Sequence, residues 1–300
     1  MLMKVLVSDS LAEEGIKRLQ SGADVDVITN LTPEELIEKI KEYDALVIRS
    51  GTKVTAEVIN AADRLKVIGR AGVGIDNVDV EAATKKGIIV LNTPGGNTIS
   101  AAEHTIAMML ALARNIPQAN AALQKGEWNR KKYTGVEFFN KILGIVGLGR
   151  VGAEVATRMK SFGMQIVAYD PFVTEERARQ MGITLTDLET VLRSGDFITV
   201  HTPLTSETRN LIDEEEFNIM KPGVRIVNCA RGGIINEAAL AKAVADGKVA
   251  GAAVMCSPKS RPSEIPSSAR RRSSPPPTSE PPQQRPRSMW HWRWPTRSWP

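Results

Sequence analysis

The sequence predicts an α/β protein built as two doubly wound parallel-sheet domains with a disordered C-terminal tail. Three observations predict it. Short apolar runs of strand length alternate with segments of helical spacing in two successive series. A glycine-rich turn follows the first strand of the second series. A hydrophobic share of 42% over 300 residues is enough to fill two cores of ordinary size.

The first series contains "KVLVSD", "VDVIT", "DALVIRS", "LKVIGRAG" and "GIIVLN", and residues 1–95 read as one domain. In "TPEELIEKIKEY" Thr32 is an N-cap, Pro33 occupies the first turn and Glu35 closes a capping box. Such alternation implies a parallel sheet covered on both faces. The run "SAAEHTIAMMLALARNI" predicts an apolar helix bridging the two domains, with one side against each. The second series starts at "NKILGIVGLGRVGAEVATRMKSFG" and passes through "QIVAYDP", "DFITVHTP" and "RIVNCARGG" to "VAGAAV", giving a domain of residues 96–254 that includes the bridge. Ligands of open α/β sheets bind beyond the carboxyl ends of the strands, which places the loops of interest.

The net charge of +5 belongs to the tail. Residues 255–300 hold nine Lys and Arg against two Glu, whereas the preceding residues hold 30 basic against 32 acidic side chains. A basic average confined to a tail gives no reason to expect nucleic acid on the folded part. Cys229 and Cys256 have neither CxxC nor metal-ligand spacing, so no metal and no disulfide are expected. Met1 to Val7 runs straight into a strand, and no apolar run reaches the roughly 18 residues of a membrane span. The expectation is a cytoplasmic protein without a membrane partner.

In "GLGRVG" the residues Gly147, Gly149 and Gly152 have the G-x-G-x-x-G spacing between a strand and a helix. The first glycine permits a tight turn, the second admits a pyrophosphate to the backbone, and the third allows close helix packing. Asp170 ends the next strand, where a carboxylate accepts from ribose hydroxyls and repels a 2′-phosphate. These features predict a Rossmann domain that prefers NAD to NADP.

Together "GLGRVG", "YDP", "HTPLTSETRNLI", "MKPGVRIVNCARGGIINEAAL" and "RAGVGIDNVD" resemble the NAD-dependent D-2-hydroxyacid dehydrogenases, and the resemblance runs from residue 4 to 254. It implies a flavodoxin-like substrate domain, a Rossmann NAD domain and a substrate between them. It implies that Arg231 is the catalytic arginine. Its fork would grip a carboxylate and polarise the 2-oxo oxygen. By the same resemblance Arg49, Ser50 and Asn97 hold the anionic ends of the substrate, and the backbone of Gly72, Val73 and Gly74 reaches its carboxylate. Val73 also lies near the nicotinamide. Arg150 and Val151 belong to the pyrophosphate turn, and Thr202, Cys229 and Ala230 contact the cofactor. The implied substrate is 3-phosphoglycerate, a small anionic 2-hydroxy acid. The bridge and "LQKGEWNRKKYTGVEFFNK" resemble the family's dimer-forming region, which implies a homodimer.

Oxidation of an alcohol also needs a proton acceptor, which in this family is a His tuned by a Glu. The family's continuation after "GAAV" is absent. Restoring one G after Val254 turns "VMCS" into Asp-Val-Phe, allows Glu-Pro-Pro at "PKSRP" and Thr-Pro-His-Leu-Gly-Ala at "SPPPTSEPP", and Val-Ala-Leu-Glu-Val-Ala at "MWHWRWP". The tail therefore reads as the product of one lost base, which leaves an impaired dehydrogenase of 3-phosphoglycerate or another small 2-hydroxy acid, with a non-catalytic NAD-binding pseudoenzyme or regulator as the alternative. Met255, Ser260 and Thr278 then stand where the family has a cofactor-contacting Asp, the Glu and the His. With eleven Pro, ten Ser and one Ile among its 46 residues, the tail cannot form a core. Its "RRR" and four Trp leave a nucleic-acid or membrane reading open beside the lost base. Three other histidines exist: His104 as a structural residue of the bridge, His201 beside the adenine side, and His291 in the tail.

Overall fold

Five parallel strands form the first sheet: β1 (Lys4–Val7), β2 (Asp24–Val27), β3 (Ala45–Ile48), β4 (Val67–Arg70) and β5 (Ile89–Asn92), in the order β2-β1-β3-β4-β5. The computed structural model describes residues 2–256. Between the strands run α1 (Glu13–Gln20), α2 (Pro33–Lys39), α3 (Ala56–Ala61) and α4 (Val80–Lys85). The capping box at α2 is present: Thr32 N donates to Glu35 at 2.8 Å, and Glu35 N donates to Thr32 Oγ1 at 3.2 Å. Continuous apolar strands such as "ALVI" suit a sheet covered on both faces.

The two faces of this sheet are unequally covered. Leu6, Leu46, Ile48 and Ile68 pack with Leu36, Val58, Ile59 and Ala83 of α2 to α4. On the other face Val5, Val7 and Ala45 meet Leu11 and Leu19, the latter from α1. Register carries that second face along Val5, Ala45, Val67 and Ile89, and burial fades toward the edge. Ile89 is 61% exposed and Leu91 56%.

Next in the chain are α5 (Thr98–Ala113) and α6 (Ile116–Gln124). Sequence predicted that α5 would bury one side against each sheet, and the structure corrects this. Its buried Ala102, Ile106, Met109 and Ala113 all join the core of the second sheet. A helix with apolar residues on several faces does not announce which neighbour it will choose.

The second sheet has six parallel strands: β6 (Ile142–Val146), β7 (Gln165–Tyr169), β8 (Thr184–Leu185), β9 (Phe197–Val200), β10 (Val224–Asn228) and β11 (Val249–Val254). Their order is β11-β10-β9-β6-β7-β8, which is the doubly wound dinucleotide arrangement with its reversal between β6 and β9. The crossovers are α7 (Arg150–Lys160), α8 (Glu175–Gln180), α9 (Leu188–Ser194), α10 (Glu214–Ile219) and α11 (Glu237–Ala245). One face packs with α5, α7 and α8, the other with α9, α10 and α11. Only β8 lacks a sequence signal, because two residues are too few to show a period.

Ile145 lies fully buried in central β6. Ile145→Ala is expected to lower the stability of this sheet by about 2–5 kcal/mol. Denaturant unfolding followed by circular dichroism measures it; a shift below a tenth of that range would show a core able to collapse around the gap.

Candidate active-site cleft

The turn between β6 and α7 shows why each glycine is needed. Gly147 has φ +97°, and a Cβ there would press on the backbone of His201 and Thr202. At Gly152 a Cβ would collide with the Gly147 carbonyl, so glycine lets α7 close onto the turn. Gly149, the residue preceding α7, would place a Cβ in open space. Bending, packing and open approach are the three tasks of a dinucleotide turn. The first amides of the eleven-residue α7 have no intrahelical acceptor, and its dipole is positive at that end. Arg150 and Val151 occupy this first turn.

Asp170 follows β7, and both its carboxylate oxygens are engaged. Oδ2 accepts from Leu148 N inside the glycine turn and Oδ1 from Phe172 N, each at 2.8 Å. Each oxygen retains acceptor capacity for a hydroxyl.

A cleft of 1150 Å³ opens between the carboxyl ends of the two sheets. Ser50, Val73, Gly74 and Asn97 line one side; Arg150, Val151, Thr202, Cys229, Ala230 and Arg231 line the other. Gly147, Gly149, Gly152 and Asp170 form the adjoining turn and are not part of this lining. Gly72 is also outside it, its amide bonded to the Arg70 carbonyl and its carbonyl to Thr93 N. Arg49 is exposed at the end of β3 and donates from Nη1 to the Ser10 carbonyl at 3.3 Å.

Arg231 is held on two sides. Nε donates to Asp76 Oδ2 at 2.7 Å and Nη1 to the Ala230 carbonyl at 2.8 Å. Nη2 lies against Gly74, where a Cβ would collide with it. Of the five N–H donors of a guanidinium, three remain for a ligand.

Sequence reasoning missed Arg70, which also lines the cleft. Its pKa is lowered by burial and then by Arg231 and Arg49, against the opposing pull of Asp76 and Asp9. Two guanidiniums, Arg70 and Arg231, line the same cleft, with Arg49 outside its lining. Arg70 Nε and Thr202 Oγ1 are buried without a hydrogen-bond partner among the described residues. Orphaned donors on the two sides of a cleft fit an anion on one side and a polar cofactor on the other. A clue to Arg70 was available, since it stands at a strand's carboxyl end directly before "AGVG".

The cleft residues titrate in ways that limit the chemistry. Burial pushes the Cys229 thiol up to about 11, and it also raises Cys256, whose Sγ donates to the Ala230 carbonyl at 3.4 Å. Neither is an activated nucleophile. His201 lines the cleft, with Nε2 3.1 Å from Thr199 Oγ1, and burial lowers its pKa to about 4. A base that weak is a poor acceptor for an alcohol proton at neutral pH. His104 is exposed on α5, correcting its expected structural role. Ser260, Thr278 and His291 lie outside the described residues, as does nearly all of the tail at 255–300. Among the described residues no cluster of His, Cys, Asp and Glu is able to hold a metal, and no helix is long and apolar enough to cross a membrane.

A dinucleotide turn facing an arginine-lined cleft defines an α/β protein of the dinucleotide-binding class, built on two parallel sheets. Residues 106–267 match the D-isomer specific 2-hydroxyacid dehydrogenase, NAD binding domain, and the chain belongs to that family. It is 53% identical over 266 residues to D-3-phosphoglycerate dehydrogenase of Methanocaldococcus jannaschii, covering 88% of this chain and 51% of that one. With the D-3-phosphoglycerate dehydrogenase of Archaeoglobus fulgidus the identity is 55% over 262 residues, covering 87% and 50%. The chain therefore spans about half the length of the curated relatives it matches. Among solved structures, a glyoxylate reductase from Paecilomyes thermophila superposes with TM-score 0.80 at 30% identity, covering 86% of this chain and 83% of that one. D-lactate dehydrogenase from Aquifex aeolicus, complexed with NAD and lactic acid, gives 0.75 at 29%, covering 84% and 76%.

Two outcomes follow from this geometry. Gly149→Ala should fold like the parent yet lose NAD affinity, whereas Gly152→Ala should lower the melting temperature without ligand; calorimetric titration and thermal melts distinguish them. The low pKa of His201 means that the unfolded chain binds more protons between pH 6.5 and about 4. Stability present above pH 6.5 should fall on acidification through that window, by up to about 3 kcal/mol. His201→Gln should flatten that part of the pH–stability profile.

Proposed function

We propose that this chain binds NAD on residues 96–254 and 3-phosphoglycerate against residues 1–95, and that its reaction is oxidation to 3-phosphohydroxypyruvate, the first step of serine biosynthesis, in the cytoplasm. The observation that carries this reading is the positive field of Arg70 and Arg231, which line a cleft beside the glycine turn, with Arg70 Nε buried and without a hydrogen-bond partner among the described residues. A ligand with anionic groups at both ends satisfies that field; a neutral one leaves it uncompensated.

NAD supplies the hydride acceptor. Gly147, Gly149 and Gly152 shape its phosphate site with Arg150 and Val151, Asp170 offers oxygens to a ribose, and Val73, Thr202, Cys229 and Ala230 border the remainder. On the substrate side Arg49, Arg70, Ser50 and Asn97 hold the phosphate. The backbone of Val73 and Gly74 and the free Arg231 donors hold the carboxylate and polarise the C2 oxygen, whereas Gly72, expected to join them, has its amide and carbonyl engaged within the protein. Arg231 is the catalytic residue, because a planar fork can bind both oxygens at once while its fixed positive charge stabilises the negative charge that develops on the C2 oxygen.

A proton acceptor completes the reaction, and His201 is unsuited to it. The lost-base reading puts the missing Glu and His at positions 260 and 278, so this chain is a dehydrogenase by descent that binds its ligands and turns over poorly. Its exposed Ile116, Leu123 and Trp128, at 52%, 57% and 76%, fit a homodimer formed through α6 and the loop after it. In light scattering the parent should run as a dimer, and Leu123→Glu should reduce it to monomer.

NAD should raise the melting temperature of the chain as given, with NADH formation from 3-phosphoglycerate at background level. Reinserting one G after the Val254 codon should restore turnover, and Arg231→Ala should abolish it again. Rapid turnover by the chain as given would overturn the missing-base reading, and no response to NAD would overturn the cofactor site.

A further inference from the structure

Two neighbouring residues that the reaction itself does not require, Asp76 and Asn77, reach the two anion grips of the cleft in different ways. Asp76 Oδ2 accepts from Arg231 Nε at 2.7 Å, joining residues 155 positions apart and on opposite sides of the cleft. Nε is rigidly part of the guanidinium plane, so this bond sets the plane's orientation. Gly74 reinforces it, since a Cβ there would strike both Arg231 Nη2 and Asp76 Oδ2.

Asn77 reaches the other grip. Its Nδ2 donates at 2.6 Å to the carbonyls of both Arg49 and Thr52, the two ends of the "RSGT" loop. The same loop offers its amides to Asp9, whose Oδ2 accepts from Arg49 N at 2.5 Å and Thr52 N at 3.1 Å. A Cβ at Gly51 would sit 2.5 Å from Asp9 Oδ1, so the loop closes around that carboxylate only with glycine there. Backbone bonding pins the segment as well, with Val54 N on the Asn77 carbonyl at 2.8 Å. An isolated exposed ion pair contributes little. Here one end of the dipeptide is tied to a guanidinium and the other to the loop carrying Arg49 and Ser50, so each bond fixes the other's distance.

We propose that Asp76 and Asn77 are positioning residues that together set the separation between the Arg231 guanidinium and the Arg49–Thr52 loop, and so select a substrate with anionic groups at both ends. The inference rests on the functional reading above, which assigns those two grips to carboxylate and phosphate. Asp76 serves the carboxylate end and Asn77 the phosphate end.

The test is calorimetric titration of the full chain, saturated with NAD, using 3-phosphoglycerate and D-glycerate, which share a carboxylate and hydroxyl but differ in the phosphate. Asn77→Ala, with Asn77→Ser as a milder second variant, should weaken 3-phosphoglycerate binding roughly tenfold and leave D-glycerate within about twofold. Asp76→Ala should weaken both acids by a similar factor, and Asp76→Asn, which keeps an acceptor, should recover part of the loss. NAD affinity should stay at the parent value in all four. Equal weakening of both acids by the Asn77 variants, or no change in any variant, overturns the inference. A parent that binds NAD but neither acid overturns the functional reading instead. In that event the ¹H–¹⁵N resonance of Arg231 Nε decides the Asp76 arm: displacement by the carboxylate in the parent and its loss in Asp76→Ala support the positioning, whereas identical spectra overturn it.

Discussion

The contact on which the rest of the structure depends is the approach of α7 to the turn before it, where Gly152 comes so close to the Gly147 carbonyl that no side chain fits between them. Because helix and turn touch there, the unpaired amides at the start of α7 open toward the cleft rather than into protein. Asp170 extends the same constraint by accepting from Leu148 in the middle of the turn, which ties the end of β7 to it. Burial then gives the turn its rigidity: Ile145 and Val146 before it, and Val155, Ala156 and Met159 on α7, are all fully enclosed. A phosphate site made of backbone needs this support, since amides can hold an anion only where packing keeps them aimed.

Across the cleft the problem is charge. Arg231 and Arg49 both act against the charge on Arg70, and burial of Arg70 adds to the cost. Asp76 and Asp9 offset part of it, one on the Arg231 side chain and the other beneath the Arg49 loop. The buried Arg70 Nε is left without a hydrogen-bond partner among the described residues, a donor that an anionic group would complete. Residues of both halves of the molecule line the cleft from opposite sides.

Much of this was legible in the residues. The glycine spacing, the position of Asp170 and the alternation of strands and helices rest on local rules of turn, cap and period, and the strand orders agree with them. Val73, Gly74, Ser50, Asn97 and Arg231 were placed by resemblance, and the chain brings them to one cleft. Other features escaped. α5 is apolar on several faces, so its allegiance to the second sheet could not be read from its own spacing. β8 is too short to have a pattern. Arg70, Asp76 and Asn77 look like ordinary polar residues at a strand end and a loop until their partners, up to 155 positions away, are brought beside them. His201 could not be graded as a base without knowing that its ring is enclosed.

By itself the sequence determined the two βα series, the turn that receives a dinucleotide and the family to which the chain belongs, because each depends on interactions among residues close together along the backbone. Only the tertiary structure decided which arginines share a field, which carboxylate takes the Arg231 Nε, and how the loop bearing Arg49 is clamped from both sides. Those outcomes depend on distances across a cleft and on which groups are buried there, and neither quantity is written in any local stretch of residues.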